Sequence, residues 1–189
     1  MATLLVNTQK CYGWVSIVLH WIMAVIFIGL FSLGLYMTGL DYMHPWYTDA
    51  PHIHKSIGLI FFLLLLFRTV WALTNTKPDP VTMPDWERII ASLVHTLFYF
   101  LLFGITISGY LIPTADGRGI EVFNWFEIPS LISHIENQED IAGKVHYYLA
   151  IFTISLTGLH TLAALKHHFV NKNVALVRML RVNQGRNHS

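Results

Sequence analysis

Four stretches of this chain have the length and apolar character that a bilayer demands of a crossing helix. They fall at residues 14–37, 54–73, 89–112 and 145–165, the second with the core IGLIFFLLLLF. A helix needs about 20 apolar residues, at about 1.5 Å each, to span the hydrocarbon layer. Proline stays outside every core, at Pro45, Pro51, Pro78, Pro80, Pro84, Pro113 and Pro129, and so marks loops and helix ends. Trp14, Trp46, Trp71, Trp86 and Trp125 fall near the ends of these runs, as an aromatic belt would. The first run is too long for a cleaved signal peptide and no small-x-small site follows it. Residues 1–189 therefore read as one membrane-embedded domain, an all-α up-down bundle of four transmembrane helices.

The composition agrees. The chain is 54% hydrophobic and only 12% charged, whereas soluble domains carry about 25% charged residues. A soluble fold of this size could not bury so much apolar surface, and disorder needs the opposite balance. A single cysteine, Cys11, excludes a disulfide scaffold, a cysteine-based zinc site and a Cys-ligated iron–sulfur cluster. The absence of Cys-x-x-Cys-His likewise excludes covalent c-type haem attachment. Eleven histidines remain to be explained.

Orientation follows from lysine and arginine. One side takes the N-terminal segment, the 74–88 connection, the tail from residue 166 and Arg68. It holds nine basic residues, Arg186 among them, against Asp79, Asp85 and Glu87, a net +6. The other side sets Lys55, Arg118 and Lys144 against eight carboxylates, a net −5. Both termini are therefore expected in the cytoplasm.

Ionisable groups within spans are costly and usually functional, and here they share one interval. His146 and His160 lie fourteen residues apart, as do His54 and Arg68, His20 and Gly34, and His95 and Gly109. Fourteen residues turn about 1400°, only about 40° short of four full turns, and rise about 21 Å. With alternating span directions, His20, Arg68, His95 and His160 form an inner layer. Gly34, His54, Gly109 and His146 form an outer one. Two histidines from facing helices can fill both axial positions of one haem. The expected pairs are His20 with His160 and His54 with His146, which leaves room for two haems across the membrane. Gly34 and Gly109 would let backbone approach a ring, and the Arg68 fork could pair with a propionate. His95 stays open at this point: it could replace His20 or His160, or bond a propionate or a quinone oxygen. His52 competes with His54, although Pro51-His52 reads as loop. His44 and His134 fall in outer loops.

Taken together these segments resemble the bacterial cytochrome b561 family, which includes the cytochrome b subunits of nickel-iron hydrogenases. The resemblance is carried by SIVLHW (16–21), HKSIGLIFFLLLLFR (54–68), LVHTLFYFLLFGITISGYL (93–111), VHYYLAIFTISLTGLHTLAALKHHF (145–169) and ALVRML (175–180). It implies two haems b held by His20, His54, His146 and His160, with His95 a recurring position that is not a ligand. It also implies electron exchange with a membrane quinone beside His167 and His168, which follow the last span. The expected function is electron transfer in a respiratory chain, between that quinone and a periplasmic redox partner, with no nucleic acid involved. A superoxide:ubiquinone oxidoreductase, an anchor subunit of a larger oxidoreductase and a haem-free assembly factor are the alternatives. The outer loop 113–144, with Phe123, Trp125 and Phe126 among acidic residues, would serve as a partner dock or as a lid over the outer haem.

Overall fold

The computed structural model describes residues 5–182, so Arg186 lies outside the described residues. Four long helices dominate: α1 (Trp14–Thr38), α2 (Asp49–Thr74), α3 (Asp85–Leu111) and α4 (Gln138–Phe169). Each is long and apolar enough to cross a membrane. A short α5 (Ala175–Leu180) follows. Helix α1 packs on α2, α2 on α3, α3 on α4, and α4 returns to α1, which closes the bundle. The four-helix membrane bundle expected from the apolar runs is what the chain forms.

The helices outlast their apolar runs at the polar ends. Helix α2 begins at Asp49, because Pro51 sits in the first turn, where its missing N–H has no intrahelical partner to lose. His52 is therefore helical, not loop, and lies two residues or about 200° around the helix from His54. Helix α4 begins seven residues before the apolar run. Its Gln138 side chain donates to the carbonyls of Leu111 (3.0 Å) and Ile132 (3.1 Å) and ties the helix start to the preceding loop. At the other end α4 runs through Phe169, so Lys166, His167 and His168 continue the helix.

Inside the spans the hydroxyls are satisfied by their own helices. Thr69 donates to Leu65 O (2.7 Å), Thr106 to Leu102 O (3.0 Å) and Thr153 to Leu149 O (2.7 Å). This is the solution open to a hydroxyl where no water is at hand. The buried centre is a plug of Met23 and Phe27 from α1 with Phe61 and Leu65 from α2, flanked by Leu102 and Phe103 of α3 and Ile154 of α4. Outward-facing Val25, Leu63, Phe100 and Leu159 are all more than half exposed, a surface suited to lipid.

Loop 113–144 holds a hairpin that the all-α expectation lacks. Strands β1 (Ile120–Val122) and β2 (Phe126–Ile128) pair antiparallel, Val122 opposite Phe126. Ile120 and Val122 are buried at 2% exposure. Between the strands, Phe123 (φ 49°) and Asn124 (φ 60°) are both left-handed, as a primed hairpin turn requires. The hairpin rests on α2, where fully buried Ser56 accepts a hydrogen bond from Phe123 N (3.0 Å) and donates to Glu121 O (3.5 Å).

The segments that four alternating spans place on one side meet at one end of the bundle. Asp79 N donates to Gln9 O (2.7 Å), Arg178 Nη1 to Asp79 O (2.7 Å), and Trp21 Nε1 to Met179 O (2.7 Å). The N-terminal segment, the 74–88 connection and α5 thus share a side.

Candidate functional site

At the outer level, α2 and α4 bring His54 and His146 together, with ring centres 6.2 Å apart and planes at 78°. His146 Nδ1 stands 2.9 Å from the carbonyl of Ile105 and 3.4 Å from Ser108 Oγ. A carbonyl only accepts, so this contact places the proton on Nδ1 and leaves Nε2 as the nitrogen with a free lone pair. Bonds that fix a ligand ring in this way are the usual support of a metal-binding histidine. His54 Nδ1 is buried without a hydrogen-bond partner. Each ring lies against one of the two glycines. A Cβ on Gly34 would stand 3.3 Å from His54 Cε1, and one on Gly109 would stand 2.9 Å from His146 Cε1. The glycines therefore make room for the imidazoles themselves.

At the inner level, His160 of α4 faces His95 of α3, ring centres 5.4 Å apart, and Phe98 lies edge-on to the same ring at 5.6 Å. His20 of α1 lies 3.5 Å from Arg68 Nη2, at the outer limit of a hydrogen bond, and edge-on to Trp21. Of the four inner residues, the structure thus joins His95 to His160 and His20 to Arg68. Tyr12, just before α1, sits over this level. Burial pushes its phenol upward, and the nearby Arg178 and Arg68 guanidinium groups act the other way.

At the cytoplasm-assigned end, Lys166 Nζ donates to Glu87 Oε1 at 2.9 Å, and His167 Nδ1 stands 3.8 Å from Glu87 Oε2. His168 stacks edge-on to Phe169 with its Nδ1 buried and unpartnered. Glu87 enters the charge tally of the sequence but not its site, since one acidic residue before an apolar run reads as a helix start. Ile105, Ser108 and Phe98 were equally hidden, because a carbonyl or a packing ring leaves no signature in residue spacing.

The residues fit a bis-imidazole macrocycle. Among the described residues, no three His, Cys, Asp or Glu side chains converge as a cage for a bare metal ion. Paired imidazoles instead suit an ion whose other ligands arrive with a planar ring. His54 and His146, facing each other across the bundle with the Nδ1 of His146 held by Ile105 O, would be the residues to hold such a group here.

Fold and site together define a multi-pass membrane protein with histidine pairs at both ends of one bundle. The family model for prokaryotic cytochrome b561 matches residues 11–181. The chain is 43% identical over 175 residues to cytochrome b561 homolog 2 of Escherichia coli (strain K12), covering 92% of this chain and 93% of that one. It is 28% identical over 183 residues to a protein named probable superoxide oxidase CybB from Yersinia pestis, covering 94% and 99%. Cytochrome b561 homolog 1 of Escherichia coli (strain K12) is 23% identical over 167 residues, 87% of this chain and 94% of that one. The chain belongs to the prokaryotic cytochrome b561 family, membrane cytochromes of the b type.

Proposed function

We propose that this protein is a dihaem cytochrome that carries electrons across the bacterial inner membrane, between a quinone near the cytoplasmic face and a redox partner at the periplasmic face. The observation that carries the reading is the pair of imidazole layers at opposite ends of the bundle, with the Met23–Phe27–Phe61–Leu65 plug between them. His54 and His146 would hold the outer haem, and His20 and His160 the inner one. Arg68 would pair with an inner propionate. When bound, the haem irons supply the one-electron chemistry. The chain's own contribution is to fix imidazole orientation, as Ile105 O does for His146, and to exclude water from the centre. His167 and His168 would bond the quinone oxygens. The contact between His95 and His160 favours a second reading in which His95 replaces His20 as the inner ligand.

The direct test uses proteoliposomes with durohydroquinone in the bilayer and ferricyanide confined to the periplasmic face. Ferricyanide reduction should stop in His54→Ala and His146→Ala, while one haem remains reducible by quinol. Transfer that survives loss of either outer histidine would overturn it.

The relative named as a probable superoxide oxidase favours another donor, periplasmic superoxide. The outer side's net −5 opposes an anion's approach. Superoxide-driven quinone reduction by this protein is accordingly expected to be slow and to quicken as ionic strength rises. Rates that fall with salt would mean an attractive funnel and would favour the superoxide reading.

A further inference from the structure

Five buried side-chain polar atoms among the described residues lack a hydrogen-bond partner, and two of them, Glu87 Oε2 and His167 Nδ1, stand 3.8 Å apart. Buried polar atoms are nearly always bonded, so a pair of exceptions side by side asks for a missing partner. Glu87 occupies the first turn of α3, where the helix N-terminus favours a carboxylate. Its side chain is only 9% exposed. Lys166 engages Oε1 at 2.9 Å, which leaves Oε2 free to accept. His167 Nδ1 stands 3.8 Å from Oε2, too far for a hydrogen bond. One oxygen atom can nevertheless stand about 2.8 Å from both.

From this geometry we infer that Glu87 reads the redox state of the quinone: the site binds a hydroquinone in preference to the corresponding quinone. The inference rests on the quinone reading proposed above. A hydroquinone hydroxyl donates to Glu87 Oε2 while its oxygen accepts from His167 Nδ1–H. A quinone carbonyl has only lone pairs. It can accept from His167, but it then sets its oxygen against that of Glu87. The carboxylate is therefore the discriminating group, and His167 serves both forms. A glutamine at position 87 could turn its amide N–H toward a carbonyl and so remove or reverse the preference.

The test is equilibrium dialysis of the purified holoprotein in detergent, with durohydroquinone against the fully reduced protein and duroquinone against the fully oxidised one. Glu87→Gln should lose about tenfold or more in durohydroquinone affinity and keep or gain duroquinone affinity, with haem content unchanged. Lys166→Ala breaks the Glu87–Lys166 pair but leaves Oε2 in place, and it should keep the hydroquinone preference. Equal loss of both ligands in Glu87→Gln, or loss of the preference in Lys166→Ala, would make the cluster a helix clamp and overturn the inference. Unchanged binding of both ligands by Glu87→Gln would overturn it too. Failure of the unaltered protein to bind either molecule would instead remove the quinone site itself.

Discussion

At Gly109 the His146 ring lies where a side chain would begin, 2.9 Å from the Cβ that glycine lacks. The ring cannot retreat freely, because Ile105 O holds its Nδ1. Gly109→Ala should therefore tilt the imidazole and reduce haem content from two towards one per chain. Gly34→Ala, with 3.3 Å to His54 Cε1, should be milder and retain most of it. Pyridine haemochrome counts on both variants check this ordering, and full haem in Gly109→Ala would contradict it. The fourteen-residue interval makes the depth of these residues legible in the sequence, since rise along a helix follows from numbering alone. It does not make their azimuth legible, which depends on how each helix is rotated against its neighbours. That is why His95, at the right depth on α3, meets His160 while His20 meets Arg68. The assignment of the inner ligand is accordingly tested by comparing two variants. His20→Ala should lose the inner haem, and His95→Ala should keep it; the reverse outcome would establish His95 as the ligand.

The outer hairpin shows how an element can escape a hydropathy reading. Its strands are three residues each, too short for a clear alternating pattern, and the surrounding turn residues read as loop. Yet Ile120 and Val122 face inward and Glu121 outward, the period of a half-buried strand. The anchor, Ser56, is one serine at the start of an apolar run and carries no visible signal. Phe123 is strained in the left-handed region, and its N–H is held by Ser56 Oγ. Ser56→Ala would leave Phe123 N and Glu121 O without that partner, at a cost of about 1–3 kcal/mol. The expected result is faster proteolysis within residues 113–137 and a lower melting temperature, with inner-haem absorbance retained. An unchanged cleavage rate would show that Ile120 and Val122 hold the hairpin unaided. The same packing on α2 gives the lid reading of this loop a physical basis, while Trp125, 79% exposed, is the side chain presented outward. Replacing Trp125 by Ala should slow reduction of a periplasmic acceptor if the tip is a dock. A lid would instead show unchanged kinetics.

For the molecule as a whole, the number of helices and the grouping of their connections were both legible in the sequence. Hydrophobic length alone decides what can cross a bilayer, and alternation of the spans decides which connections share a side, while charge bears on which side faces the cytoplasm. The contacts among Gln9, Asp79, Arg178 and the backbone of α5 bear out that grouping. Helix ends were less legible, since α4 continues beyond the lipid-facing run on both sides, where hydropathy has no reason to register it. The proposal that the two imidazole layers, set at opposite ends of an apolar plug, are two haem sites has a direct test. That test is a reduced-minus-oxidised visible spectrum of the purified protein, with extracted haem counted per chain. Two non-covalent haems b per chain and a sharp low-spin α-band are expected. One haem would leave one layer without its assigned role, and a haem-free protein expressed with ample haem supply would contradict the proposal outright.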